Sequence, residues 1–258
     1  MQIRLFPCVL IGALICFLGQ AQAGAAETLT LNPVADATLF EVAPDNSGGA
    51  ALFFNSGTTQ NRTRNRAMLM FDIASALPYG SLITSVELQL EVLRQPVDGF
   101  EVSFMGLHRM LRSWGEGETF AVNGFGTPAA VGDATWSHRF STQDEWAVPG
   151  GAVDVDYSGL LSSGALVYGV GTTRFEGSAD LIADVQSWLD HPELNHGWML
   201  LCQNEELPFT ARRFGSREDP NSAPALRIEF VTVPEPGVLM LGFIACVALT
   251  VARRFSKP

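Results

Sequence analysis

Hydrophobic and polar residues alternate most clearly in SVELQLEV, where Val86, Leu88, Leu90 and Val92 are separated by Glu87, Gln89 and Glu91. A period of two sends successive side chains to opposite faces, so the aliphatic set predicts the core face of a β-strand and the polar set its solvent face. TLTLN, DATLFEV, AMLMFDI, FEVSFMGL, GWMLLCQ and ALRIEFV predict further strands. Breaks rich in Gly, Pro and Asn, such as PDNSGG, ALPYG and QPVDG, separate them as turns. One segment has a different period. In SADLIADVQSWLDHPEL, Ile182, Val185, Trp188 and Leu189 recur at helical spacing, with Ser178 as a cap and Pro192 as a stop. Many short strands with one helix predict an all-β fold, a single jelly-roll β-sandwich with a short helix over one end.

Two stretches depart from the strand pattern. The first residues combine Arg4, an apolar run from Leu5 to Leu18 and the small-residue sequence Ala21-Gln22-Ala23. This is the pattern of a secretory signal peptide, with cleavage between Ala23 and Gly24. At the other end, Pro234-Glu235-Pro236 leads into 15 apolar residues, Val238 to Ala252, followed by Arg253, Arg254 and Lys257. That run is marginal for a spanning helix, and its basic end would stay in the cytoplasm. The expected organisation is a signal peptide over 1–23, a domain over 24–233 and a sorting tail over 234–258.

Charge narrows the partners. The domain has 12 arginines, no lysine and 26 acidic residues, and the only lysine of the chain is Lys257. Such a surface repels nucleic acid, so nucleic acid is not expected as a partner. Cys202 is the one cysteine between the two terminal segments, in the apolar run WMLLC, so no disulfide forms within the domain and a buried thiol is expected.

The C-terminal sequence resembles the PEP-CTERM sorting tail of Gram-negative bacteria in its Pro234-Glu235-Pro236-Gly237 motif, its apolar helix and its basic end, in that order. The resemblance implies recognition and removal by an exosortase after export by the general secretory machinery. The chain would then pass through an inner-membrane intermediate to the cell surface or extracellular matrix. The middle of the chain resembles the DNRLRE (disaggregatase-related) domain, allied to carbohydrate-binding module family 96. Six blocks carry the likeness: DATLFEVAPDNSGGAALFFNSG, RAMLMFDIASALPYGSLITSVELQLEV, HRMLRSWGEGE, ATWSHRFSTQDEWAVPGG, DLIADVQSWLDHPELNHGWMLL and RRFGSREDPNSAPALRIEF. It implies a non-catalytic jelly roll that in some members binds polysaccharide.

Candidate chemistry follows from aromatic and acidic residues. Trp114, Trp136 and Trp146 lie in Gly-rich, loop-like surroundings, where a flat ring either packs in the core, the commoner fate, or stacks on the C–H face of a sugar, with Trp146 the leading platform. Trp188 and Trp198 lie in periodic apolar runs and read as core. In DVDYSG, Asp154, Asp156 and Ser158 match alternate ligand positions of a calcium loop, with Ala165 where an EF-hand requires glutamate. The stretch is therefore no EF-hand, and it reads either as a solvated acidic turn or as a looser site for a structural calcium ion. Arg217-Glu218 reads as a buried ion pair or a ligand clamp, and Asp36 and Asp72 as acceptors for turn N–H groups. His108, His138, His191 and His196 show no zinc spacing, and no Gly-x-Ser-x-Gly elbow occurs. The expected function is non-covalent association with exopolysaccharide. The alternatives are a structural matrix or surface protein with a protein partner, and a polysaccharide-active enzyme.

Overall fold

The computed structural model describes residues 25–97 and 102–232. The signal residues Ala23 and Gly24, the motif Pro234, Glu235 and Pro236, and the basic end Arg253, Arg254 and Lys257 lie outside the described residues. Among the described residues no helix is long and apolar enough to cross a membrane.

The chain is mostly β, as the alternation predicts. Eleven strands form one antiparallel sheet: β1 (Ala26–Leu31), β2 (Ala35–Phe40), β3 (Phe53–Thr58), β4 (Arg64–Met70), β5 (Leu82–Arg94), β6 (Ser103–Arg109), β7 (Ser163–Val167), β8 (Gly171–Phe175), β9 (Trp198–Cys202), β10 (Arg212–Gly215) and β11 (Ala225–Val231). Along the sheet the order is β1-β11-β5-β10-β3-β4-β9-β6-β7, with β8 on β5 and β2 on β4. The sheet curls on itself at β3. Residues Phe53 to Ser56 pair with β10, whereas Gly57 and Thr58 pair with β4. Gly57 has φ +103° there, and a Cβ would sit 2.6 Å from the Thr210 carbonyl oxygen, so the handover needs glycine.

The two halves face each other across the main core. Val86, Leu88, Leu90 and Val92 are fully buried in it, as their alternation predicts, opposite Ala67, Leu69, Leu107 and Leu200. Strands β3, β7, β8 and β10 have no clear alternation. Gly, Ser, Thr and Arg fill their sequences, and neighbour pairing, not pattern, defines them.

Helix α1 (Ala179–Asp190) closes one end of the core. The Ser178 hydroxyl accepts from Leu181 N at 2.9 Å, the cap expected from sequence. Val185, Trp188 and Leu189 are buried, as is Leu181, and Trp188 lies 4.4 Å from Trp198 between ring centroids. Asp184 joins helix to sheet. Its carboxylate accepts from Ser162 Oγ at 2.6 Å and Trp198 Nε1 at 2.8 Å, with Arg109 at 3.7 Å.

A second apolar cluster covers the outer face of the β2–β4–β9 half. Met68 and Met199 point outward between inward-facing neighbours, and Trp114, Trp136, Trp146 and Tyr157 from the segment 110–160 pack on them. Strands apolar on both faces must be covered on both faces. That is why WMLLC is a continuous run. Cys202 is on its inner face, and burial pushes its thiol up.

Replacing Asp184 with Ala would leave the Trp198 N–H and the Ser162 hydroxyl without an acceptor. Asp184→Ala should therefore lower unfolding free energy by about 2–4 kcal/mol in urea titrations. Asp190→Ala, at the exposed end of the same helix, should change it by less than about 0.5 kcal/mol.

Candidate functional site

At the end of the domain where β5 finishes, register sets three side chains in a row across neighbouring strands. Arg213 on β10 lies opposite Asn55 on β3 on one side and Arg94 on β5 on the other. Phe214, the next residue, turns inward and stacks on Phe54 at 5.4 Å, so Arg213 must face outward. Its guanidinium lies 3.5 Å above the Phe53 ring and donates from Nε to Asn55 Oδ1 at 3.4 Å. The turn between β3 and β4 adds Gln60, Asn61 and Thr63, and Gln95 follows Arg94. Together they wall a cleft of about 640 Å³.

The electrostatics of this groove oppose those of the chain. No carboxylate lines it among the described residues, although the net charge of the chain is −11. Neither Arg94 nor Arg213 has an ion-pair partner among the described residues. Burial first, and the facing Arg94 second, hold the Arg213 guanidinium below the usual arginine range. Like charges directly opposite on neighbouring strands are destabilising. Two uncommitted amide atoms add to the demand. Asn55 is 7 % exposed, and its Nδ2 is buried without a partner, as is Gln95 Oε1. Beyond the Arg213 Nε–Asn55 Oδ1 bond, Arg94 and Arg213 bring guanidinium N–H groups to a cleft with no carboxylate among its described lining residues, beside the amides of Asn55, Asn61 and Gln95. They suit a ligand rich in hydroxyl and carboxylate oxygens.

The tryptophans are not there. Trp114, Trp136 and Trp146 are 8, 5 and 4 % exposed, all within the second core. Trp114 Nε1 donates to the His196 carbonyl at 2.9 Å and Trp146 Nε1 to the Thr135 carbonyl at 2.8 Å. Arg64 and Arg66 cover Trp136 at 5.2 and 5.5 Å. The sugar-platform assignment is therefore corrected: no ring presents a free face. The glycines that made these positions look loop-like are what let backbone close over the rings. A Cβ at Gly150 would meet Trp136 at 2.6 Å.

The calcium loop does not form either. Asp154 Oδ1 accepts from Gly159 N at 2.8 Å, on the surface. Asp156 is fully buried, and its Oδ2 accepts from Ala147 N and Ala152 N at 2.9 and 2.8 Å while Arg112 lies 3.2 Å from Oδ1. Ser158 Oγ accepts from Leu160 N. Each group braces its own stretch of loop, so no shared cation position remains for Asp154, Asp156 and Ser158.

A different acidic group comes together instead. Oxygens of Asp36, Glu116 and Glu218 lie within 4.8 Å of one another. Arg217 sits among them, its Nε at 2.6 Å from Glu116 and 2.9 Å from Glu218, and its backbone N–H donates to Asp36 Oδ2 at 2.7 Å. The expected ion pair and the expected turn acceptor are thus parts of one clasp. Asp72 also serves its turn, accepting from Ser75 N at 3.2 Å. Burial pushes the Asp36 carboxyl well above the usual range and raises Glu116. A second cleft, of about 420 Å³, lies beside α1. Arg109 there bonds Ser187 and faces Asp184, while burial and Arg109 hold His196 low.

Arg94, Arg213 and Asn55 were not singled out by sequence, because Arg213 lies more than a hundred positions from the other two and only strand register unites them. The weak signal present was the amide-rich turn QNRTRN beside an otherwise acidic pattern. No protein-family model matches the chain, and no curated protein matches it.

Asp36 holds its proton more tightly folded than unfolded. Its contribution to stability is fully present below the unfolded value near 3.8 and is lost as pH rises through the higher folded value. Urea midpoints of Asp36→Asn should therefore gain on those of the parent chain as pH rises from about 4 to 8. Trp146→Ala should act as a core truncation, lowering stability by about 3–5 kcal/mol in the same titrations.

Proposed function

We propose that the chain is an exported, non-catalytic protein that associates with acidic exopolysaccharide through the groove formed by Arg94, Arg213 and Asn55. In this reading the curled sheet is a jelly roll of the DNRLRE type, residues 1–23 are a signal peptide, and residues 234–258 are a PEP-CTERM tail with a membrane helix that an exosortase removes. The protein would end at the cell surface or in the extracellular matrix.

One observation carries the reading. Two outward arginines face each other across neighbouring strands, in a cleft with no carboxylate among its described lining residues, on an acidic chain. A polymer bearing carboxylates supplies the missing counter-charge, and its hydroxyls match the amides of Asn55, Asn61 and Gln95. Binding without bond cleavage fits the side chains present. Guanidinium and amide groups do not exchange protons near neutral pH, so they hold a glycan but do not serve as its general acid or base. Phe125, at the rim, is half exposed and offers an apolar face to a sugar ring.

The test is native electrophoresis of the full chain in an uncharged detergent, through gels containing polygalacturonate or neutral dextran. Polygalacturonate should retard it and dextran should not. Arg213→Gln should weaken retardation about tenfold, the equivalent of one charge-assisted hydrogen bond. About 0.5 M salt should weaken it too, by screening. Equal retardation by dextran would overturn the acidic specificity. Absence of retardation in both gels would move the assignment to a matrix protein with a protein partner.

A further inference from the structure

Strand register decides from which end of the domain its two terminal segments leave. Ala26, at the start of β1, pairs with Val231, at the end of β11, and Val231 pairs with Leu82, at the start of β5. Ala26 and Val231, near the two ends of the described domain, therefore lie at one pole. Helix α1 caps that pole, where Ile83 N donates to Gln186 Oε1 at 2.9 Å. Arg94 ends the same β5, a strand of 13 residues, so the groove lies at the other pole. At ~3.3 Å per residue that strand spans about 40 Å.

The apolar run begins at Val238, seven positions beyond Val231. Even fully extended, that connection reaches about 25 Å. A chain held in a bilayer by this run would keep the helix-capped pole near the surface and the groove far from it. The distance matters chemically. Lipid phosphates would compete for Arg94 and Arg213 if the groove faced the headgroups. At a separation of about 40 Å, several times the ~8 Å screening length at physiological salt, they do not. The excess of acidic residues on the domain also disfavours its lying flat on an anionic surface.

We propose that the protein captures acidic polysaccharide while its tail is still embedded, and so links a bilayer surface to polymer lying tens of ångströms away. This rests on the groove reading above and adds to it the orientation of the site. The test places the full chain in phosphatidylcholine vesicles and floats them with fluorescent polygalacturonate, beside the same chain in uncharged micelles. The chain should float, and the polymer should float with it, with an affinity within about twofold of that in micelles, since screening isolates the groove from the headgroups. Adding phosphatidylglycerol should leave that affinity unchanged. The double variant Arg94→Gln/Arg213→Gln should still float and still unfold in one cooperative thermal transition, but without polymer. Capture in micelles combined with none on vesicles overturns the orientation and leaves the groove reading intact. Failure of the chain to float overturns the tether. Absence of capture in micelles overturns the groove reading and this proposal with it.

Discussion

Strands β4 and β9 are apolar on both faces, and much of the molecule follows from having to cover both. The inner face is met by the curl of the sheet, which brings β5 over β4 and β9. The outer face is met by the segment 110–160, which has little regular structure and would not hold a shape alone. It is held because Trp114, Trp136, Trp146 and Tyr157 bury against Met68 and Met199, each large ring removing apolar area from water. Three of the five tryptophans are thereby committed to a second core, and a surface role for them is closed.

Polar groups secure the seams between these layers. Asp184 receives hydrogen bonds from β9 and from the residue before β7, fixing the helix over the end of the main core. Asp156 ties the outer segment to itself, and the clasp of Asp36, Glu116, Arg217 and Glu218 ties β2 to the outer segment and to the loop after β10. Burial raises the Asp36, Glu116 and Asp184 carboxyls, so the seams hold best where these groups keep their protons. A buried carboxylate is tolerated when hydrogen bonds satisfy it, and truncating it strands its donors.

The groove is the opposite case. Arg94 and Arg213 have no ion-pair partner among the described residues, and the amides of Asn55 and Gln95 each leave one buried atom without a hydrogen bond. Two arginines facing each other with no acid among the described lining residues set this groove apart from the hydrogen-bonded networks that brace the rest of the fold. The groove lies at the opposite end of β5 from Ala26 and Val231, so its place in the fold follows from one strand read end to end.

Local pattern determined the β class, the inward face of β5, the cap and buried face of α1, and the burial of Cys202. Each depends on periodicity or on a neighbour a few residues away, and a sequence displays both. The same local pattern marked Trp146 and its glycines as loop, and DVDYSG as a metal turn. Both were local resemblances to chemistry that tertiary packing used for structure. Only the tertiary structure decided that glycine at position 150 would bring backbone against Trp136, that Asp156 would turn its carboxylate onto Ala147 and Ala152, and that Arg213 would face Arg94. The reason is physical. A strand's faces follow from its own alternation, whereas which residues oppose one another across strands follows from register, a property of pairs distant in sequence.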